Sequence, residues 1–261
     1  QKVKQTMLSE NEKITWFPAH LKHSRFKNIV ETAPDWTISR NRFWASPLPI
    51  WKDERGRVYV IGSLEELKRR AMKNNNHYIV VRHGQGQHKE LGLNSSKADH
   101  PHRLTEAGKM QIKDLAKTLS KRKFTAIYSS PFVRTRETAD LLAEGTNFPK
   151  ENIIIDERLH ELDFGDLDLK PYADFLKFKK EHMLTYDARI PGGESHLDAK
   201  KRFGDFLYDI DKKHKGETVV VVTHGIGPET LAAVLEGANR VRSNELIDEV
   251  EVEQGETFEF D

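Results

Sequence analysis

The chain of 261 residues contains no cysteine. This absence excludes disulfide bonds, zinc sites built from thiolates and enzymes that use a cysteine nucleophile. No apolar run approaches the roughly 20 residues that a membrane-spanning helix needs, so no membrane partner is expected. The first residues lack the apolar core of a signal peptide, and we predict a cytoplasmic location. They also lack an initiator methionine, which fits a fragment of a longer protein.

A strong excess of one charge is also missing, because the net charge is only +1. The distribution is uneven, however. Residues 1–76 carry 15 lysines and arginines against 8 acids, a net charge of +7, whereas the remainder carries 27 against 33, a net charge of −6. The simplest interpretation of the basic first quarter is a solvated surface, and a face toward nucleic acid is the alternative.

Composition changes near residue 73, and we predict two domains, 1–73 and 74–261. All four tryptophans precede this point. The sequence pattern of the first segment does not indicate a complete domain. It predicts a helix-like start and a hairpin-like strand at 57–61. A capping box of Ser63 and Glu66 predicts a short helix over 64–72.

From residue 77 onward, short apolar runs alternate with amphipathic segments. Predicted strands cover residues 78–81, 126–128, 153–155, 218–222, 246–252 and 257–260, and predicted helices cover about 105–122, 133–143, 172–182, 197–214 and 228–235. This alternation predicts an α/β fold with a mostly parallel sheet sandwiched by helices.

Two histidines stand at the ends of apolar strands, and each is followed by glycine. His83 follows the run YIVVR, and His224 follows the run TVVVVT. Runs of this kind indicate strands buried on both faces of a parallel sheet, and ligands bind at the carboxyl ends of such strands. The glycines, Gly84 and Gly225, allow tight turns and close approach to a ligand. We therefore expect the two histidines to share a site.

Further residues at the same predicted sheet edge complete a phosphate pocket. Arg82 precedes the first histidine, and Arg134 lies in the first turn of a helix that follows the strand at 126–128. Two guanidinium groups and helix N-terminal amides favour phosphate. A carboxylate, Glu161, follows the third strand. Together these residues provide a nucleophile, anion ligands and an acid for phosphoryl transfer.

Six short motifs in order resemble the histidine phosphatase (phosphoglycerate mutase-like) superfamily. They lie at 82–84, 104–108, 129–138, 161–165, 191–195 and 223–225. The resemblance covers residues 77 to about 260. It implies a three-layer phosphoglycerate mutase-like fold and a phosphomonoester hydrolase that needs no metal or other cofactor. Its partner would be a small phosphorylated substrate.

The resemblance also implies roles for individual residues. His83 would be the nucleophile that becomes phosphohistidine, and Glu161 would be the general acid and base. Arg82, Arg134 and His224 would hold the phosphoryl oxygens. The substrate site would further include Gly84, Gln85, Lys89 and Gly225.

The chain departs from the family pattern at two places. Lys89 stands where the family usually has asparagine, and residues 166–168 read DLD where Trp-Glu-Gly is frequent. The lysine keeps open the alternative of a catalytically weak phosphate-binding module. The short gap between Glu161 and Pro191 favours a phosphatase over a mutase. The physiological substrate and the oligomeric state stay open.

Other histidines lie near these motifs. His100 and His102 form a His-Pro-His sequence, but no further ligands follow at metal-binding spacing, and we predict no metal site. His88, His160 and His196 could line the pocket, although surface or supporting positions are expected for each.

The first segment resembles a different family. Residues 13–22, 35–44, 47–51 and 61–67 are similar to the catalytic domain of isoleucyl-tRNA synthetase, in the part that follows its editing insertion. Ala45 and Ser46 replace the usual Gly-Thr. The two ATP-binding signatures of that family, His-Ile-Gly-His and Lys-Met-Ser-Lys-Ser, are absent. The resemblance implies a fragment of a synthetase into which a phosphatase module was inserted or fused, and tRNA would be a partner only through that larger chain.

Overall fold

The computed structural model describes residues 2–32, 50–52, 56, 58–61 and 76–260. The chain divides into two compact units, Gln1–Met72 and Lys73–Asp261. Each unit is described by itself below.

The first unit contains short elements. Helix α1 spans Lys2–Glu12, a π-helical turn spans Lys22–Phe26, and α2 spans Lys27–Thr32. Strands β1 (Ile50–Lys52) and β2 (Val58–Val60) pair antiparallel, as the hairpin-like pattern predicts.

Aromatic packing and one buried amide hold the start of the first unit together. The rings of Trp16 and Phe26 lie 5.0 Å apart, and Trp16 Nε1 donates a hydrogen bond of 2.9 Å to the side chain of Asn11. Asn11 is buried, so this bond satisfies an amide oxygen that would otherwise be costly to bury. The predicted capping box at Ser63 and the predicted helix over 64–72 lie outside the described residues.

The second unit is built on a five-stranded sheet. The strands are β3 (His77–Arg82), β4 (Ala126–Ser129), β5 (Ile153–Ile155), β6 (Thr218–Thr223) and β7 (Thr257–Phe260). Their order in the sheet is β5-β4-β6-β3-β7. Pairs β3–β6, β6–β4 and β4–β5 are parallel, and β7 pairs antiparallel with β3. The prediction of a mostly parallel sheet is therefore confirmed.

Helices cover both faces of this sheet. They are α3 (Gln87–Glu90), α4 (Glu106–Leu119), α5 (Val133–Thr146), α6 (Tyr172–His182), α7 (His196–Lys213), α8 (Ile226–Leu235) and α9 (Arg240–Glu249). Short 3-10 turns span Lys150–Asn152, Glu157–Leu159 and Gly165–Leu167. Among the described residues, no helix is long and apolar enough to cross a membrane.

Alternate residues of the central strands pack into two separate cores. Tyr78 and Val80 of β3 contact one cluster, to which α7 contributes Phe203 and Phe206. Ile79 and Val81 contact the other cluster, to which α4 and α5 contribute. Because successive side chains of a strand point to opposite faces, a sheet covered on both sides needs apolar residues at every position. This requirement explains the continuous apolar runs in the sequence.

Side-chain caps fix where two of the long helices begin. The Thr105 hydroxyl accepts a 3.0 Å hydrogen bond from the Gly108 amide at the start of α4. Ser195 and Asp198 form a reciprocal capping box at the start of α7. Such caps satisfy amides that have no partner within the helix, and each typically contributes about 1 kcal/mol.

One predicted element is wrong. Residues 246–252 were expected to form a strand, but Leu246 lies within helix α9. The side chain of Asn239 accepts a hydrogen bond from the Arg242 amide and starts this helix. Ser243 and Leu246 are three residues apart and both buried, so they lie on one helical face, where Leu246 packs with Ala232 and Ala233 of α8.

Candidate active site

The register of the sheet brings the two strand-end histidines together. Arg82 of β3 pairs with Thr223 of β6, so His83 and His224 follow at the same level on neighbouring strands. Their ring centroids lie 5.2 Å apart. Ser129 at the end of β4 pairs with Val222, which places the start of α5 at the same edge. The structure therefore brings the two histidines together at one edge of the sheet, as expected from the sequence.

His83 is held in one orientation by a backbone hydrogen bond. The ring is 2% exposed, and its Nδ1 lies 2.7 Å from the carbonyl oxygen of Gly84. Because a carbonyl can only accept, Nδ1 carries the proton in this arrangement, and Nε2 has the free lone pair. That lone pair accepts a hydrogen bond of 3.1 Å from Nε of Arg134. The nitrogen available as a nucleophile therefore points at a guanidinium group.

Arg134 is the largest fully buried side chain that carries a charge. Its Nη2 donates to the carbonyl oxygen of Ser95 at 2.9 Å and to Nδ1 of His224 at 3.0 Å. None of these acceptors is a carboxylate. Burial lowers the pKa of Arg134 to about 10, which leaves the group positively charged at neutral pH.

His224 is completely buried, and both of its ring nitrogens have partners. Nδ1 accepts from Arg134, which leaves Nε2 to donate to the Ser130 hydroxyl at 2.8 Å. The ring also contacts Phe132, with centroids 4.6 Å apart. These contacts fix the tautomer and the plane of the imidazole.

The electrostatic environment keeps both imidazoles neutral. Burial first, and then the charge of Arg134, lowers the pKa of His83 well below its ordinary value. The same two causes, in the same order, lower the pKa of His224. A neutral imidazole has the lone pair that a nucleophile requires, whereas an imidazolium does not.

An open cavity of about 350 Å³ lies beside His83. Five of the predicted site residues line it: Arg82, His83, Lys89, Glu161 and Gly225. Arg134 and His224 do not line the cavity. Arg134 donates hydrogen bonds to His83 and to His224, and the His224 ring contacts the His83 ring. The cavity is further lined by His88, Asn94, Ser95, Phe164, Tyr172, Phe175, Lys179, His196, Glu229 and Asp248, among others.

Arg82 retains unused hydrogen-bonding capacity at the cavity. One Nη donates to the carbonyl oxygen of Val252 at 2.7 Å, but the buried Nε has no partner among the described residues. A Cβ placed on Gly225 would lie 3.4 Å from this guanidinium, so the glycine leaves space beside it. Buried donors are normally satisfied, and an unpaired one at a cavity wall favours an anionic ligand.

The backbone at Glu161 is fixed by an ion pair outside the cavity. Arg202 and Glu194 form two parallel hydrogen bonds of 3.0 Å. The same guanidinium donates to the carbonyl oxygens of Arg158 and Glu161, at 2.7 and 3.2 Å. Because these groups are largely buried and bidentate, they hold the loop that carries Glu161 in place.

Gly84 and Gln85 support the site and do not line the cavity. The Gln85 carbonyl and side chain both accept hydrogen bonds from Thr105, the cap of α4. A Cβ on Gly84 would lie 2.5 Å from the carbonyl oxygen of Gly108, a contact too short for any side chain. Gly84 and Gly108 therefore allow the loop after β3 to pack on the first turn of α4.

Lys89 lines the cavity and is partly buried. Its Nζ lies 4.0 Å from the centre of the Tyr172 ring, which is a favourable cation–π geometry. Burial, and then the charge of Arg82, lowers the pKa of Lys89.

Several residues that line the cavity were not predicted as site residues. Glu229 and Lys179 carried no prediction, and surface or supporting positions were expected for His88 and His196, which are instead buried in its wall. Burial lowers the pKa of His88 to about 2 and that of His196 to about 4. For Glu229 a signal existed, because it is the one charged residue in the apolar sequence of α8.

The structure offers no metal centre among the residues that it describes. No group of three or more histidine, aspartate or glutamate side chains there is arranged to hold an ion. The rings of His100 and His102 instead share the Ser95 hydroxyl, at 3.2 and 3.0 Å. His100 also lies 3.3 Å from a carboxylate oxygen of Asp168.

Two family profiles match the chain. The profile of the histidine phosphatase superfamily (branch 1) matches residues 78–251. The profile of class I tRNA synthetases (I, L, M and V) matches residues 1–106 and thus overlaps the first.

Solved structures of similar fold cover the second unit. The alpha-ribazole phosphatase from Shigella flexneri superposes with a TM-score of 0.60 at 23% identity, over 71% of this chain and 90% of that one. Bacillus stearothermophilus YhfR gives a TM-score of 0.60 at 26% identity, over 71% and 91%. A mycobacterial glucosyl-3-phosphoglycerate phosphatase gives 0.59 at 23% identity, over 70% and 88%. These similarities confirm the predicted fold.

Isoleucine–tRNA ligases are curated relatives that match about 70 residues at the beginning of the chain. The isoleucine–tRNA ligase of Chlamydia abortus is 51% identical over 69 residues, which is 26% of this chain and 7% of the ligase. That of Protochlamydia amoebophila is 46% identical over 68 residues, again 26% and 7%. The predicted resemblance of the first segment is confirmed, and the chain spans only about 7% of the length of these relatives.

Proposed function

This chain belongs to the histidine phosphatase superfamily (branch 1), and we propose that it is a phosphomonoester hydrolase that works without a metal through a phosphohistidine on His83. The observation that supports this most directly is the orientation of His83. Its Nδ1 is engaged by the Gly84 carbonyl, and its Nε2 lone pair faces Arg134 at the cavity. The names of the similar structures, two of which are phosphatases, agree with this proposal.

In the first step, Nε2 of His83 attacks the phosphorus atom, and the ester P–O bond breaks. Charge spreads over the three equatorial oxygens in the loose transition state, where nearby cations stabilise it. Arg134 and Arg82 are placed to supply that stabilisation. A phosphoryl oxygen is a stronger acceptor than imidazole for the Arg134 donors, so the substrate replaces the direct bonds from Arg134 to the two histidines.

Glu161 moves the proton in both steps. As an acid it protonates the departing alkoxide, which leaves as the alcohol. As a carboxylate it then accepts a proton from the water that attacks the phosphohistidine. The N–P bond breaks, inorganic phosphate forms, and His83 returns to its neutral state with Nδ1 protonated. His224, held by Ser130, contributes a fixed ring beside the transferring group.

The test compares wild type with His83→Ala on p-nitrophenyl phosphate in the presence of EDTA. We expect wild-type turnover and a loss of at least about a thousandfold in the variant, because the variant lacks the proposed nucleophile of the covalent step. His182→Ala, at an exposed position on α6, is the matched control and should behave as wild type. Turnover that survives the substitution of His83 overturns the assignment.

The covalent intermediate is tested separately. Wild type mixed with a ³²P-labelled ester and denatured within milliseconds in alkaline detergent should retain label on His83, since the N–P bond is stable in base. Turnover without trapped label at any time point would contradict a phosphohistidine that accumulates before water attacks it.

The identity of 46–51% over the first 68–69 residues supports a second proposal, that the chain is part of a larger isoleucine–tRNA ligase. The second unit would then be a phosphate-binding module of low activity. The lysine at position 89, where the family usually has asparagine, favours this alternative. A Lys-Met-Ser-Lys-Ser signature in the flanking sequence would support this proposal. The chain alone should show no isoleucine-dependent ATP–pyrophosphate exchange, because it contains neither ATP-binding signature.

A further inference from the structure

Helices α6 to α9 contribute part of the cavity wall. Lys179, His196, Ile247 and Asp248 line this cavity and also line a second depression, which Leu176, Met183 and Leu184 line as well. None of the predicted catalytic residues borders the second depression. The four shared side chains, together with Glu229, which lies 3.9 Å from His196, are here called the distal wall.

The charges of the distal wall differ from those around the nucleophile. Arg82, Arg134 and Lys89 surround the phosphate end. In the distal wall, Lys179 is the one cation, and its charge acts on the carboxyl group of Glu229, as do the charges of Arg82 and Asp248. His196 adds no charge, because burial and the charge of Lys179 lower its pKa to about 4. The distal wall therefore offers no net positive charge to a second anionic group.

Glu229 is the central group of this wall. Its side chain is only 14% exposed, and no lysine or arginine of the described residues lies within ion-pair distance, since its 3.9 Å contact is to the neutral His196. Burial raises the pKa of this carboxyl well above its ordinary value. A protonated carboxyl group both donates and accepts a hydrogen bond, and this combination matches an alcohol hydroxyl.

Building on the proposed hydrolase activity, we propose that Glu229 is a specificity-determining residue. It binds a hydroxyl group of the substrate's alcohol portion, and the negative charge of Asp248 disfavours alcohols that carry a second anion. The substrate class is thus a phosphomonoester of an uncharged, hydroxyl-bearing alcohol. Phosphorylated hydroxy acids are poor substrates because their carboxylate would lie at a wall whose one cation, Lys179, is balanced by the carboxylate of Asp248.

The test uses two esters that differ at one carbon. Glycerol 3-phosphate carries a CH₂OH group where 3-phosphoglycerate carries a carboxylate. In the wild type we expect kcat/KM to be at least about tenfold higher for glycerol 3-phosphate, because its CH₂OH group can bond to the Glu229 carboxyl whereas the carboxylate of 3-phosphoglycerate is repelled by Asp248. A ratio near one, or a preference for 3-phosphoglycerate, overturns the proposal.

Two variants assign the preference to this wall. Glu229→Arg should shift the ratio at least about tenfold toward 3-phosphoglycerate, because it replaces a carboxyl group with a cation. Asp248→Lys also replaces an acid with a cation, at an exposed position, and should shift the ratio in the same direction. This variant keeps the test valid if the arginine at the buried position 229 prevents folding. Glu151→Gln, an exposed acid outside the cavity, is the control and should keep the wild-type ratio. An unchanged ratio in Asp248→Lys contradicts the role of the distal wall.

This inference and the hydrolase proposal fail in different ways. If the protein cleaves p-nitrophenyl phosphate but does not discriminate between the two esters, only the inference fails. If it cleaves none of the three, the hydrolase proposal fails. Calorimetric binding of the two esters to the same protein then decides the inference, and equal affinity overturns it.

Discussion

Buried neutral histidines around the cavity make the fold sensitive to acid, and His88 gives the sharpest test. Burial first, then the charges of Arg134 and His102, lowers the pKa of His88 from 6.5 to about 2. Between these two values the unfolded chain binds a proton that the native state does not. Stability from this group is therefore present above pH 6.5 and is lost as the pH falls below it. From pH 7.0 to pH 4.5 the loss amounts to about 2.5 kcal/mol, from 1.36 kcal/mol per pKa unit.

The assay is urea unfolding of wild type and His88→Gln at pH 7.0 and pH 4.5. We expect the free energy of unfolding to fall by about 2.5 kcal/mol less in the variant than in the wild type. Whatever the substitution costs at pH 7.0 cancels, because only the difference between the two pH values counts. His182→Gln controls for the loss of one histidine from the unfolded chain. If His88→Gln and wild type lose equal stability, His88 is not held neutral by its surroundings, and the reasoning is refuted.

Two further predictions concern the acid and the packing of the loop after β3. Glu161→Gln should lower kcat/KM, which reports the steps up to formation of the phosphohistidine, by roughly 10²–10⁴-fold for alkyl phosphates but much less for p-nitrophenyl phosphate, whose leaving group needs no proton. Equal losses of kcat/KM on both esters would contradict a role in protonating the leaving group. Gly108→Ala should lower the free energy of unfolding by about 1–3 kcal/mol, because its Cβ would collide with the Gln85 backbone. Gly204→Ala, on α7, is the matched control, because a Cβ there would lie no closer than 3.8 Å to its nearest neighbour, Val234. This substitution should be neutral or stabilising in thermal unfolding. An equal loss of stability in both variants would refute the steric argument.

The central part of the fold and of the site follows from local sequence patterns. The runs before His83 and His224 predict buried parallel strands, and parallel strands place their carboxyl ends at one edge. The structure has this arrangement, because Arg82 at the end of β3 pairs with Thr223 at the end of β6. Arg134 could be placed for the same reason, because it opens the helix after a neighbouring strand.

The residues that prediction missed are those whose environment depends on tertiary packing. Leu246 looks like part of a strand by itself, but the cap at Asn239 and the contact with α8 make it helical. Arg202 reads as one more charge on an amphipathic helix, and only the folded chain brings it to Glu194 and the Glu161 carbonyl. No local pattern contains such distant contacts.

Arg134 connects the stability of the fold with its chemistry. A pKa lowered from 12.5 to about 10 corresponds to about 3 kcal/mol that the folded protein loses by burying this charge without a carboxylate partner. The side chain is nevertheless held in place by four acceptors, namely His83, His224 and the hydroxyl and carbonyl oxygens of Ser95. A group that needed only to stabilise the fold would be better replaced by an apolar one of similar size. Under the proposed mechanism, this cation beside the neutral His83 gains its compensating charge when a phosphoryl group binds, so the energy lost in folding would be recovered in binding the transition state.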